Sequence, residues 1–113
     1  MGRMSREKGK RGERFVANAF KEHGYDARRT SQYCGKTGEA ADVIGVPGIS
    51  CEVKFVEKMH LYDWMEQAVR DAEANGEGRL PTVFHKQNYK DLLVTMRFED
   101  WIQLYKEWEA GRE

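Results

Sequence analysis

Cysteine is scarce in this chain. Two residues, Cys34 and Cys51, among 113 are too few for a disulfide framework, so a reduced, cytoplasmic setting is expected. Long apolar runs are missing as well. Nothing approaches the ~20 consecutive apolar residues that cross a bilayer as a helix, so no membrane partner is expected. The basic N-terminus has no apolar stretch behind it, which argues against a secretory signal. No Cys/His cluster has zinc-ligand spacing; His60 and His85 stand without partners and read as structural. There is no glycine-rich nucleotide loop, hence no expected nucleotide cofactor. Internal repeats and low-complexity tracts are absent. Net charge is absent too, at zero, so total charge gives no pull toward nucleic acid.

The distribution of charge is more informative than its sum. Residues 1–36 carry ten Lys/Arg against four Asp/Glu, and the remainder carries nine against fifteen. A basic first third beside an acidic remainder suits a phosphate-binding surface next to a metal site, although a solvated basic helix has the same composition. The length fits one domain over 1–113 with a modest core, its first nine residues flexible. Apolar spacing predicts a helix from Lys10 to His23 with Phe15, Val16, Ala19 and Phe20 inward, stopped by Gly24. A strand over 25–30, a polar loop over 31–40 and a hairpin follow. A second helix is expected over Leu61–Asn75, with Leu61, Trp64, Met65, Ala68, Val69 and Ala72 inward and Gly76 as its stop. Strands over 81–85 and 92–96 lead to a last helix, 100–109. Its stripe of Trp101, Leu104, Tyr105 and Trp108 reads as core first and as a dimer surface second. This order describes an α/β domain with a central mixed sheet flanked by helices.

The densest signal lies in Ala41–Lys54, two short strands around the turn Gly45-Val46-Pro47-Gly48. Side chains alternate faces along a strand, so Glu52 and Lys54 share one face while Cys51, Val53 and Phe55 take the other. The turn folds Asp42 back toward Glu52. Singly, each is an ordinary residue of a half-exposed strand. Together they are two acids on otherwise apolar strands, and such a pair repels unless a cation neutralises it or one member stays protonated. Paired carboxylates with room for water are what Mg²⁺ requires. The chemistry that follows is Mg²⁺-assisted phosphodiester hydrolysis, with Lys54 holding the attacking water and stabilising the transition state. Glu13 projects from beside the buried stripe of the first helix, either as a boundary residue or as a third acid of the site. Gly9-Lys10-Arg11-Gly12 would let a phosphate approach the backbone closely. Arg28 and Arg29 suit phosphate contact, and Lys86 is a further candidate.

Asp42 followed by Glu52-Val53-Lys54 resembles the bipartite motif of the PD-(D/E)XK nuclease superfamily. The surrounding order, from Lys8-Gly9-Lys10-Arg11-Gly12-Glu13-Arg14 through the hairpin to a helix bearing Gln67, is similar to archaeal-type and phage Holliday junction resolvases along nearly the whole chain. Ala41 stands where many members have proline. The resemblance implies a restriction-endonuclease-like fold and a catalytic set of Glu13, Asp42, Glu52 and Lys54, with Gln67 helping to orient it. It implies Mg²⁺ held by Glu13, Asp42 and Glu52, with Mn²⁺ able to substitute. DNA, as a four-way junction, is the implied substrate, and a homodimer the implied assembly. Lys8, Lys10, Arg11, Arg28 and Arg29, together with Ser31 and Lys36 of the polar loop, are the expected DNA contacts, although that loop also reads as ordinary solvated chain. Rival readings are a nicking, flap or restriction-type nuclease on the same fold, and a DNA-binding module without catalysis. A purely structural protein would leave the hairpin acids unexplained.

Overall fold

In the computed structural model, residues 2–30 and 41–112 are described, with side chains from residue 7 onward. The Arg-, Glu- and Lys-rich start favours helix, so helix α1 (Gly2–Glu22) begins eight residues before the expected Lys10. It stops where expected: Gly24 takes φ +94, and the Gly24 and Tyr25 N–H groups bond back to the Lys21 and Phe20 carbonyls. Strands β1 (Arg28–Arg29), β2 (Val43–Ile44) and β3 (Ile49–Lys54) follow, then helix α2 (Leu61–Asn75), strands β4 (Leu80–His85) and β5 (Leu93–Met96), and helix α3 (Phe98–Ala110). Strand β1 is shorter than the stretch anticipated from sequence because its partner β2 offers only two residues to pair, Arg28 with Ile44 and Arg29 with Val43. The residues expected to form the polar loop, 31–40, lie outside the described residues.

The sheet order is β1-β2-β3-β4-β5. The β1–β2, β2–β3 and β4–β5 pairs are antiparallel, while β3 and β4 run parallel, joined by the α2 crossover. The β2–β3 turn depends on Gly45 at φ +99. A Cβ there would collide with the Asp26 carbonyl oxygen and the Ala27 Cα, so only glycine lets the turn lie against the approach to β1.

Each face of the sheet meets one helix. On one face Val16 and Ala17 of α1 pack with Ala27, Val43, Cys51, Val53 and Phe84. On the other, Trp64 and Ala68 of α2 cover Val83. Phe15 departs from its expected place: it is exposed, edge-on to Phe55 at 5.5 Å, and Ala17 is buried instead. The larger correction concerns α3. Trp101, Leu104, Tyr105 and Trp108 are all exposed rather than core, because α3 makes few contacts with the sheet. Its buried residue is Asp100, which accepts a hydrogen bond from Arg97 Nε at 3.0 Å. Among the described residues no helix is long and apolar enough to cross a membrane.

Candidate active site

Strand β3 supplies the centre of the site. Cys51 and Val53 point into the α1 core, and burial pushes the Cys51 thiol up to about 12, which leaves it inert at neutral pH. Glu52 and Lys54 take the opposite face, toward α2. Val43 pairs with Cys51, so its neighbour Asp42 falls on the Glu52 side. The approach is fixed by two hydrogen bonds: the Asp42 N–H donates to the Cys51 carbonyl at 2.8 Å, and the Val53 N–H donates to Asp42 Oδ2 at 2.8 Å. The acids therefore meet through strand register, as alternation implied.

Lys54 Nζ donates to Gln67 Oε1 of α2 at 3.0 Å and stands 3.5 Å from Glu52 Oε2. Gln67 thus holds the ammonium over the acids. Glu13, from α1, lines the same cleft of about 310 Å³ with Lys8, Gly9, Asp42, Glu52, Lys54 and Gln67. It is turned aside, however, accepting from Arg29 Nε at 3.2 Å. Among the described residues no three His, Cys, Asp or Glu side chains stand together as a ready metal cage. The close acid pair is Asp42 and Glu52, with Glu13 at the rim.

Electrostatics mark this pair. Burial raises the Asp42 carboxyl above the ordinary range, against the lowering effect of the Val53 N–H, and the Glu13 charge adds to the rise. Glu52 is raised further, first by burial, then by Asp42 and by Asp71. Glu52 is 2% exposed, and its Oε1 has no hydrogen-bond partner among the described residues. Asp71 lies one helical turn beyond Gln67 and acts on the same carboxyl without completing a bond to Oε1. Sequence reasoning missed Asp71, although its i+4 offset from Gln67 was the available signal. Buried like charges and an orphaned carboxylate oxygen fit a hard divalent cation, which takes oxygen ligands and neutralises both acids. Asp42 and Glu52 would hold it, with Glu13 within the same cleft.

The expected DNA contacts divide. Lys8 pairs with Glu57 at 3.8 Å and Arg29 with Glu13, whereas Arg11 and Arg28 are exposed and Lys10 is half-buried. Ser31 and Lys36 lie outside the described residues. Gly12 does not open the backbone to a phosphate: a Cβ there would come 2.7 Å from the Phe55 ring, so its bareness seats Phe55. Gly9 has open space around it. His85 is structural, bonded to Thr95 Oγ1 at 2.8 Å beside Trp64.

A family model described as "Phage putative PDDEXK endonuclease" matches residues 4–112. A comparison with curated proteins finds no match. Among solved structures, that of Archaeoglobus fulgidus Hjc, a Holliday junction resolvase from an archaeal hyperthermophile, is similar with a TM-score of 0.59 and 24% identity, covering 79% of this chain and 72% of that one. The shared fold is the restriction-endonuclease-like α/β arrangement of a five-stranded mixed sheet between helices.

Proposed function

This chain belongs to the phage PD-(D/E)XK endonuclease family, and on that premise we propose that it is a Mg²⁺-dependent, structure-selective DNA endonuclease that resolves Holliday junctions as a homodimer. The observation that carries the reading is the meeting of a buried and a half-buried acid, Glu52 and Asp42, with a gripped lysine in one cleft. Asp42 and Glu52 would hold the cation, and Glu13 would join them only by exchanging its Arg29 contact for it; Mn²⁺ offers the same hard-ligand chemistry. What the cation supplies when bound is a water of lowered pKa and positive charge against the phosphodiester. The chain's own contribution is preorganisation. The Val53 N–H fixes Asp42, Gln67 aims Lys54, and the Lys54 ammonium faces the charge that develops on the phosphate oxygens.

DNA reaches the cleft along the basic first third, through Lys10, Arg11 and Arg28, with Lys8 and Arg29 exchanging their acidic partners for phosphate. By the resemblance to the resolvases, Ser31 and Lys36 are further DNA contacts. Junction specificity is suggested by the fold shared with Hjc, itself a resolvase. A two-fold symmetric junction cut on two strands calls for two symmetric sites, and a homodimer provides them. The exposed face of Trp101, Tyr105 and Trp108 on α3 and the exposed Leu93 and Val94 of edge strand β5 are apolar material for such an interface.

The test is cleavage of matched four-way junction, flap, duplex and single-stranded DNA in Mg²⁺. Paired incisions confined to the junction support the reading. Preference for the flap or plain duplex transfers the site to another nuclease of this fold, and binding without cleavage makes the chain a silent DNA-binding module.

A further inference from the structure

The β4–β5 turn holds a feature that the hydrolytic site does not use. Tyr89 is fully exposed and sits at φ +62, a left-handed conformation that costs a tyrosine free energy. The turn is nevertheless fastened. The Lys90 N–H bonds to the Gln87 carbonyl at 3.2 Å, closing it. Two bonds of 2.7 Å tie it to Glu57 in the β3–α2 loop, from Gln87 Nε2 to the carbonyl and from the Asn88 N–H to Oε2. Glu57 also meets Lys8, which lines the catalytic cleft.

The turn starts beside the end of β3, the strand that carries the site. The Lys86 N–H donates to the Lys54 carbonyl at 3.1 Å, and Lys86 Nζ lies 5.7 Å from the centre of the Phe15 ring and 5.9 Å from that of Phe55. Tyr89 is three positions along the chain from Lys86, so its backbone lies within about 10 Å of that anchor. An exposed ring carried on a fastened turn, with Lys86 and Lys90 on either side of it in sequence and Asp91 as the acid of the turn, has the composition of a nucleic-acid stacking platform: cations for the backbone and a π-face for a base.

We propose that Tyr89 stacks on an unpaired or branch-point base of the DNA, one or two nucleotides from the phosphate that is cut. Branched DNA offers such bases and continuous duplex does not, so the contact would give structure selectivity without reading sequence. The inference rests on the nuclease reading above.

The experiment uses the full chain carrying Asp42→Asn, which separates binding from cutting. Four-way junctions with 2-aminopurine at successive branch positions, and a linear duplex of matched length, are titrated with this parent and with versions bearing Tyr89→Ala or Tyr89→Phe. The alanine variant is expected to bind the junction about ten-fold more weakly, within the range of base–aromatic stacking, and to leave duplex affinity unchanged. The phenylalanine variant retains affinity, and the branch-position emission distinguishes both aromatic proteins from alanine. If the parent binds DNA and the alanine variant binds the junction equally well with the same emission, the stacking role is overturned while the nuclease reading stands. If the parent binds no DNA, both fall. A change in sedimentation by Tyr89→Ala, with junction affinity unchanged, would make Tyr89 a contact between copies and overturn the proposal.

Discussion

The cleft wall and the α3 edge depart from the ordinary rules of burial in opposite directions. Glu52 is a carboxylate at 2% exposure, whereas Trp108 is an indole at 55%. Around Glu52 the chain excludes water and gathers like charge; around Trp108 it leaves a ladder of rings open, with Trp101 stacked on Tyr105 at 5.1 Å and Tyr105 tilted against Trp108 at 5.5 Å. Both arrangements cost free energy in the isolated chain, one through desolvated charge and the other through hydrated apolar surface. On the function proposed above, each would be relieved by something the chain does not itself provide: a cation at the first, apolar cover at the second. Function is legible here as two opposite defects of folding.

Removing an acid breaks the first half of the comparison most severely. Asp42→Asn or Glu52→Gln is expected to lower Mg²⁺-dependent cleavage by at least about a hundred-fold, while DNA affinity holds or rises because a charge repelling phosphate is gone. The metal-free fold should become more stable. Asp42 and Glu52 are raised to about 6 and about 9 from ordinary values of 3.8 and 4.5. Between those ordinary values and the raised ones the native state binds more protons than the unfolded chain, so stability falls as pH rises from about 4 to about 9. Thermal melts of the metal-free protein across that window should slope downward, and Glu52→Gln should flatten the slope. Wild-type cleavage by either variant, or a pH-independent melt, would remove the buried-charge account.

The second half is tested by making α3 polar. Trp101→Lys with Tyr105→Lys should leave the domain folded, since α3 gives little to the core, and should weaken self-association by about thirty-fold or more, as expected for central aromatic anchors. Sedimentation at micromolar concentration, with and without junction DNA, reads the change; paired incisions should give way to single nicks. A parent that is monomeric in both conditions, and nicks one strand only, would favour a nickase.

How far sequence alone reaches follows the same division. Strand alternation placed Asp42, Glu52 and Lys54 on one side correctly, because period two is a property of the backbone. The bounds of α2 were legible for a similar reason, its apolar spacing ending at Gly76. Helical spacing also grouped Trp101, Leu104, Tyr105 and Trp108, but it tells which residues share a face and not what that face meets. Phe15 and Ala17 were exchanged because a long helix offers several apolar faces and only the sheet chooses between them. The Val53–Asp42 bond and the Gly45–Asp26 approach depend on chain segments brought together by the fold, and no local pattern reports them. Asp71 was hidden as one more acid on an amphipathic helix.

Smaller effects should come from the α2 side of the cleft. Gln67→Ala frees the Lys54 ammonium without removing an acid, so cleavage should fall about ten-fold, as for other groups that orient a reacting side chain. Asp71→Asn removes one cause of the rise at Glu52. It should therefore shift the pH–rate profile to lower pH, because Glu52 then ionises more readily. A Gln67→Ala enzyme with an unaltered rate would mean that the 3.0 Å contact to Lys54 does not matter to the reaction.

The smallest expected effect concerns the basic surface, where the structure separates cations that composition treats alike. Each phosphate neutralised on duplex DNA adds about 0.9 to the slope of log K against log salt. Lys8 and Arg29 already face Glu57 and Glu13, so binding phosphate replaces one anion by another and changes the slope little. Arg11 and Arg28 are exposed, Lys10 is half-exposed, and none of the three has an ion pair among the described residues. The triple variant Lys10→Gln, Arg11→Gln, Arg28→Gln should flatten the slope by about 2 to 3, and Lys8→Gln with Arg29→Gln by less than about 1. Affinity measured from low to moderate salt with the Asp42→Asn protein, so that cleavage does not intervene, gives both slopes. Equal slopes for the two variants would show that the acidic partners let go on binding, and an unchanged slope in both would move the DNA surface away from α1 and β1.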